Sequence, residues 1–253
     1  FNDFESNRLS GNFKADLEYA KDFVLTARYG FNFSNLNNRE FFPEFDYGNG
    51  KVFSRPENQV NQNQQEFYDY TFDLFHTIDK TIADYHDIKF TAGMTVFRTH
   101  GEGLFASRTG VPNNSFGFAD VGQATGTGDD QTNGSFVSEL RRLSYFGRVE
   151  YAFKDKYLFS GMLRRDTSSL FGPNNQVGWF PSATAGWIIS EEDFFNSDGI
   201  FNFIKLRGSY GGLGNDQIPA NGFLSLLVGE AEYVLGQEQE LVNGQALGPL
   251  ANP

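Results

Sequence analysis

Two pairs of charged residues stand out, because each pair has a single residue between its members. Arg148 and Glu150 form one pair, and Arg164 and Asp166 form the other. In an extended strand, side chains two residues apart project from the same face. These four charged side chains can therefore form ion pairs across neighbouring strands or contact a charged solute. We favour ion pairs that brace a polar wall.

Acidic residues offer a second kind of chemistry. Asp69 and Asp73 are spaced so that a strand would place both on one face, with Thr71 between them. Two carboxylates are the minimum for glycoside hydrolysis, but they must lie across a cleft from each other. Nothing in the sequence supplies an acid, a base and a nucleophile in one site. We therefore predict a non-enzyme that needs no cofactor, and polar wall positions for Asp69 and Asp73.

The remaining motifs are weak. The segment Asp129–Leu140 begins like a calcium loop but ends in Leu where the loop needs Glu. The three histidines are far apart in sequence, and there is no Cys, so no metal site is predicted. The run Gly211–Asn215 resembles a phosphate-binding glycine loop, but no βαβ unit follows it. A turn at a strand end is the favoured interpretation.

The composition is unusual for a soluble globular core. Hydrophobic residues make up 39% of the chain, yet aromatic residues reach 17% and Phe alone numbers 29. This composition is typical of membrane β-barrels, in which a thin apolar band is bordered by aromatic residues. The net charge of −12 argues against a nucleic acid partner, which requires a basic surface. No apolar run approaches the 18 or more residues of a transmembrane helix.

Apolar and polar residues alternate in eight segments, and this period of two predicts strands with one face exposed to water. The eight segments are Asn12–Ala20, Phe23–Ser34, Tyr68–Ile78, Ile88–Val96, Leu143–Phe153, Tyr157–Asp166, Gly178–Ile189 and Ile204–Tyr210. Short turns join the members of three hairpins. Polar segments at 35–65 and 100–142 predict long loops, and 167–177 predicts a shorter one.

The first long loop carries four aromatic residues beside Glu44 and Asp46: Phe41, Phe42, Phe45 and Tyr47. Aromatic rings on an exposed loop can stack on sugar rings or contact a partner protein. They can equally pack the loop onto itself, and the sequence leaves both interpretations open.

Strands of about 9–13 residues joined alternately by short turns and long loops are typical of outer-membrane barrels. This pattern predicts an all-β, antiparallel transmembrane β-barrel segment. A soluble sandwich is the alternative, but its inner face would be richer in branched aliphatic residues and its loops shorter.

A family resemblance supports the barrel. Over about 142–217 the sequence resembles the SusC/RagA family of TonB-dependent outer-membrane transporters. The resemblance is carried by Arg142–Arg148 at a strand start, Tyr157–Asp166 ending in a basic pair and an acid, Phe171–Pro173, Gly178–Ala183, Gly186–Trp187, Ile189–Glu192, Leu206–Gly211 and Gly214–Asn215. Together, in this order and spacing, these motifs are specific, whereas residues 1–100 carry little of the signature.

The resemblance implies a plugged barrel of about 22 strands, so the eight strands would be about a third of the wall. It also implies import of oligosaccharides or oligopeptides, energised through the TonB complex and assisted by a SusD-like surface lipoprotein. The implied location is the outer membrane of a Gram-negative bacterium, which we expect to belong to the Bacteroidota. In such a barrel Arg148, Glu150, Arg164, Asp166, Asp69 and Asp73 would face the lumen. Residues 1–253 would be an internal piece of the barrel domain, without the plug and the C-terminal strands.

Two other functions remain open at this stage. One is a structural or adhesive barrel whose loops bind partners without transport. The other is a soluble carbohydrate-binding sandwich, which would need no membrane.

Overall fold

The computed structural model describes residues 1–48, 54–195 and 200–218 in full, and the backbone alone of 227–235 and 240–247. The described strands are β1 (Asn2–Ala20), β2 (Phe23–Phe42), β3 (Phe45–Asp46), β4 (Ser54–Arg55), β5 (Gln59–Ile82), β6 (His86–Thr109), β7 (Gln131–Phe153), β8 (Tyr157–Ser168), β9 (Val177–Ile188), β10 (Lys205–Gly211), β11 (Leu227–Leu235) and β12 (Glu240–Leu247). In these ranges the helices are short 3₁₀ turns, and none has the length and apolar character needed to cross a membrane.

Eight of the strands form one sheet in the order β1-β2-β5-β6-β7-β8-β9-β10. Neighbours in the sheet follow each other along the chain, apart from the small β3-β4 hairpin inserted between β2 and β5. The pairs β7-β8, β8-β9 and β9-β10 are antiparallel. The predicted eight-stranded antiparallel sheet is thus confirmed.

The first five strands of this sheet are longer than predicted, and the predicted long loops are correspondingly shorter, with 110–130 remaining as a connection. Strands β5 and β6 each have 24 residues, and β2 continues to Phe42. The polar segments predicted as loops at 35–65 and 100–142 are therefore largely strand. Their Asn, Gln and Gly residues have low strand propensity, but a paired neighbour satisfies the backbone regardless of side chain. The Phe41 amide, for example, donates to the Phe1 carbonyl at 2.9 Å.

Three short turns join β1 to β2, β5 to β6, and β7 to β8, as predicted. Each contains an aspartate in the left-handed region, namely Asp22 (φ 71°), Asp84 (φ 63°) and Asp155 (φ 55°). Aspartate tolerates this conformation better than most residues because its short side chain can hydrogen-bond to the nearby backbone. The turn residues thus fix where each strand reverses, and with it the hairpin register.

Contacts between residues divide the chain into two compact units. The first consists of Phe1–Phe13, Arg28–Phe72 and Phe97–Glu139. Its core contains five buried residues, which are Phe41, Val60, Val111, Ala119 and Ala124. The buried side chain of Asn58 joins the connection after β6 to this core, because its Nδ2 donates to the Val111 carbonyl and its Oδ1 accepts from the Val111 amide.

The second unit consists of Lys14–Ala27, Asp73–Val96 and Leu140–Pro253. Within it β5 and β6 approach each other closely at Gly93. A Cβ atom at this position would lie 2.5 Å from the Leu74 carbonyl oxygen and 2.7 Å from the Phe75 Cα atom. Both are backbone atoms, so they cannot move aside as a flexible side chain could.

We predict that Gly93→Ala destabilises the folded protein, because the added methyl group pushes the two strands apart. Overpacking of this kind costs about 1–3 kcal/mol. The measurement is the temperature at which the detergent-purified protein loses its folded electrophoretic mobility. Gly147→Ala is the matched control, since a Cβ there meets no atom within 4 Å. Equal melting temperatures for the two variants would contradict the close approach.

Candidate functional site

One face of strands β7 to β10 is apolar and exposed, and we call it the apolar face. The strand registers place Tyr145 beside Arg165, Leu163 beside Pro181, and Arg165 beside Trp179. Its large exposed members are Tyr145, Val149, Tyr157, Phe159, Leu163, Val177, Trp179, Leu206 and Tyr210. Because water disfavours such a continuous apolar surface, this face needs an apolar neighbour.

The opposite face of the same strands, which we call the polar face, carries the predicted charged residues. Arg148 and Glu150 project from it on β7, and Arg164 and Asp166 project from it on β8. The register confirms the shared face, since Glu150 lies opposite Ser160 and Ser144 lies opposite Asp166. That this face lines a lumen stays a prediction.

The expected cross-strand ion pairs between these four residues are wrong. Arg148 Nη2 lies 2.6 Å from Glu150 Oε1, and Arg164 Nε lies 2.7 Å from Asp166 Oδ1, so each pair stays on its own strand. The register explains this, because it places Arg148 opposite Met162 rather than opposite an acid. These pairs are half-exposed, and such pairs add little to stability. Each pair balances its own charge, while Lys205 and Arg207 of β10 lie on the same face as further cations.

The polar face also carries a contact between β7 and the segment after β10, which the sequence did not predict. Arg142 of β7 binds Asp216 through two hydrogen bonds, with 2.7 Å between Nη2 and Oδ1. Asp216 also accepts a weak bond from Ser168 of β8. These hydrogen bonds fix the segment after β10 at a cavity of about 410 Å³, which Arg164 and Phe180 also line. No periodicity predicts this contact, because Asp216 lies in irregular backbone.

The carboxylates of Asp69 and Asp73 are each bound by a polar side chain of a neighbouring strand. In the first unit, Asn32 Nδ2 donates to both Asp69 oxygens, at 2.8 and 3.0 Å. In the second unit, Thr95 Oγ1 donates to Asp73 Oδ1 at 2.7 Å. Each acid therefore belongs to a local polar pair. The structure brings neither into a cleft with a second carboxylate in the described residues.

The four aromatic residues predicted in the first long loop have different surroundings. Phe41 and Phe42 lie in β2, so the loop placement is wrong for both, and Phe41 is fully buried in the first unit's core. Phe42 is half-buried beneath the Arg55 guanidinium, 4.7 Å from the ring centre. Phe45 and Tyr47 are exposed, with ring centres 5.1 Å apart. A contact role for these two stays a prediction.

The histidines bind tyrosine hydroxyls. His76 Nε2 lies 2.6 Å from the Tyr19 hydroxyl, and His86 Nδ1 lies 2.7 Å from the Tyr151 hydroxyl. Within the part of the chain that the structure describes, no three metal-ligating side chains cluster. The segment Asp129–Leu140 is a 3₁₀ turn followed by the start of β7, rather than the loop that the sequence predicted.

Glu192 connects two aromatic residues at one end of the apolar face. Tyr157 and Trp187 lie opposite each other on β8 and β9. Glu192, just after β9, accepts hydrogen bonds from the Tyr157 hydroxyl at 2.5 Å and from Trp187 Nε1 at 2.9 Å. The hydrogen bond from Tyr157, and to a smaller extent the one from Trp187, hold the pKa of the Glu192 carboxyl below its usual value. Partial burial opposes this lowering, and the nearby Lys156 ammonium adds to it.

An antiparallel sheet with sequential strand order, one exposed apolar face and one charge-paired polar face is a wall segment of a membrane β-barrel. Comparison with known proteins agrees. The family description "TonB dependent receptor-like, beta-barrel" matches residues 1–214. The chain belongs to this family, whose members reside in the outer membrane.

Individual relatives support the SusC/RagA resemblance. TonB-dependent receptor P26 of Formosa agariphila is 30% identical over 98% of this chain and 24% of that receptor. TonB-dependent receptor SusC of Bacteroides thetaiotaomicron is 39% identical over 39% of this chain and 10% of SusC. The structure of the RagAB peptide importer in its open-open state superimposes with a TM-score of 0.81 at 23% identity, over all of this chain and 26% of that one. The chain thus spans about a quarter of the length of P26 and of the RagAB chain.

We predict that Leu163→Arg impairs assembly far more than Arg164→Ala. A cation on the apolar face costs about 2–4 kcal/mol at the middle of a bilayer, whereas Arg164→Ala removes one half-exposed ion pair. The measurement is the fraction of heat-modifiable, folded protein in outer membranes. Ser160→Arg, with the same new side chain on the polar face of β8, is the control. Equal losses in Leu163→Arg and Ser160→Arg would reverse the assignment of the two faces.

We predict that Glu192→Gln lowers thermal stability at neutral pH but not in acid. The lowered pKa means that the carboxylate stabilises the folded state above the unfolded-state pKa of about 4.3. This stabilisation is lost as the pH falls through the folded-state pKa. Melting temperatures of wild type and variant, measured from pH 7 down to pH 3, should therefore converge. A difference that stays constant with pH would show that the carboxylate charge is irrelevant to this contact.

Proposed function

We propose that this chain forms part of the wall of a transporter that imports oligosaccharides or oligopeptides across the outer membrane. The observation that carries the proposal is that β7 to β10 have a polar face, with acids and bases paired on β7 and β8, directly opposite an exposed apolar face. Such a wall can separate a water-filled passage from lipid.

Charge pairing suits the passage of neutral or mildly charged solutes. With Arg148 bound to Glu150 and Arg164 bound to Asp166, β7 and β8 present hydrogen-bonding groups whose charges are balanced, and Lys205 and Arg207 of β10 add positive charge to the same face. Solutes rich in hydroxyl or peptide groups can exchange hydrogen bonds with such a surface and still leave it. The net charge of −12 over the whole chain disfavours strongly anionic solutes.

The energy source and the partners follow from the family rather than from this chain's residues. We propose that the TonB complex drives transport through a plug in the complete protein, and that a SusD-like lipoprotein covers the outer opening. One RagAB structure is described as a peptide importer, which supports a peptide substrate, and the SusC/RagA resemblance keeps an oligosaccharide as the alternative. A Gram-negative host among the Bacteroidota is consistent with Formosa and Bacteroides as sources of relatives.

The rival functions differ in what they require. The soluble sandwich does not fit a family of outer-membrane barrels or a single eight-stranded sheet with an exposed apolar face. A structural or adhesive barrel would share this wall but would show no energy-dependent uptake. Uptake is therefore the property to test.

We predict that a blocking group attached to the polar face stops uptake, whereas the same chemistry fails on the apolar face. The 253 residues contain no Cys, so Ser160→Cys and Phe159→Cys place single reactive thiols on opposite faces of β8. In whole cells, a bulky water-soluble maleimide should modify the Ser160→Cys variant and reduce TonB-dependent uptake of labelled oligosaccharide or peptide. Lipid should protect the Phe159→Cys variant.

Two results would separate the alternatives. Modification of the Ser160→Cys variant without any uptake in the unmodified protein would favour the adhesive barrel. Modification of both variants at equal rates would show that neither face is covered by lipid, and would remove the basis of the proposed passage.

A further inference from the structure

A cavity of about 620 Å³ lies in the first unit, in a region with no role in the proposed transport. Charged and amide side chains of three strands line it, namely Asp3 and Glu5 of β1, Asn37 and Arg39 of β2, and Gln62 and Gln64 of β5. Leu104 of β6 and Val121 of the following connection add an apolar part. The cavity therefore offers hydrogen-bonding groups beside a small apolar surface.

The lining amides project from the same face as a row of aromatic residues. Tyr29 on β2 and Tyr68 on β5 share a face, because their hydroxyl groups lie 3.0 Å apart. Asn37 is an even number of residues from Tyr29, and Gln64 is an even number from Tyr68, so both project from that face too. This aromatic row has the composition of an interfacial girdle that faces lipid.

The depth of the amides follows from strand geometry. Phe33 continues the aromatic row on β2, because it lies an even number of residues beyond Tyr29. Asn37 lies four residues beyond Phe33, and Gln64 lies four residues beyond Tyr68 in the opposite chain direction. At about 3.3 Å per residue and a tilt of roughly 45°, this distance corresponds to about 9 Å along the membrane normal. A girdle marks the edge of the hydrocarbon, and the headgroup layer adds about 5–8 Å on each side. The cavity thus opens at or just above headgroup depth.

The available hydrogen-bonding groups suit an uncharged, hydroxyl-rich ligand. Arg39 lies 3.6 Å from Asp3, so the cation at the cavity has an acidic partner close by. The second lining carboxylate, Glu5, accepts a hydrogen bond from Asn7 at 2.8 Å, and carboxylates also accept hydrogen bonds from hydroxyl groups. Asn37 Nδ2 donates to Asn35 Oδ1 at 3.0 Å, a same-face bond that leaves its carbonyl oxygen available. Gln64 is exposed and offers both a donor and an acceptor. Sugar hydroxyl groups, which also both donate and accept, match these amides.

We propose that this cavity binds the saccharide headgroup of a glycolipid in the outer leaflet of the membrane. The inference rests on the outer-membrane placement of the proposed function, and it adds a lipid ligand that transport does not require. It also gives a physical reason for the length of β2 and β5, whose polar ends continue past the aromatic row on the lipid-facing side.

The test measures stabilisation of the detergent-purified protein, in its full native length, by added lipopolysaccharide. Lipopolysaccharide should raise the melting temperature, and phosphatidylethanolamine at the same concentration should do so less. In Asn37→Ala/Gln64→Ala, two or more hydrogen bonds are lost, so the concentration needed for half the effect should rise about tenfold or more. The control is Asn12→Ala/Gln65→Ala, which removes one Asn and one Gln from the opposite face of β1 and β5.

Each outcome decides the proposal. Loss of the lipopolysaccharide effect in the first double variant alone supports it. Equal effects of lipopolysaccharide on wild type and both double variants, or loss in the control alone, overturn it. Uptake measured in the same variants keeps the two proposals apart, because intact uptake with lost glycolipid binding, or the reverse, shows which of them has failed.

Discussion

The structure depends on one constraint, which is that every strand must satisfy its backbone through its neighbours while its two faces meet different surroundings. In a hydrocarbon layer no water is available to an unpaired amide or carbonyl group, so strands must be paired side by side. Alternation of side chains then gives β7 to β10 one face with Leu163 and Trp179 and another with Arg148 and Asp166. The same pairing explains why the chain forms one sheet of sequential strands with short turns at Asp22, Asp84 and Asp155.

Local polar contacts complete what the backbone pairing begins. On the polar face Arg148 and Arg164 pair with acids of their own strands, and Asp69 and Asp73 bind Asn32 and Thr95 of adjacent strands. These short contacts satisfy polar side chains within the sheet. At the opposite face Glu192 holds Tyr157 and Trp187, so an acid outside the strands fixes two aromatic residues of the apolar face.

Sequence reasoning was most accurate where alternation was strong and least accurate where it was weak. The prediction Tyr157–Asp166 matches β8 nearly residue for residue, and Leu143–Phe153 matches the second half of β7, because charged and apolar residues alternate in both segments. The ends of β2, β5 and β6 were predicted as loops, since Asn, Gln and Gly obscure the period of two. Phe41 was accordingly placed on an exposed loop, whereas the connection after β6 buries it. The Arg142–Asp216 contact had no sequence signal at all.

The sequence by itself determined the strand type, the number of strands in the sheet and the face on which each predicted wall residue lies, because these follow from a period that is local to each strand. The tertiary structure alone decided how far the strands extend, which partner each charge takes and which aromatic residues are buried. Those features depend on the register between strands and on the packing of the connection at 110–130, and both are set by residues distant in sequence. A periodic pattern specifies a face, but only the neighbouring strand specifies a contact.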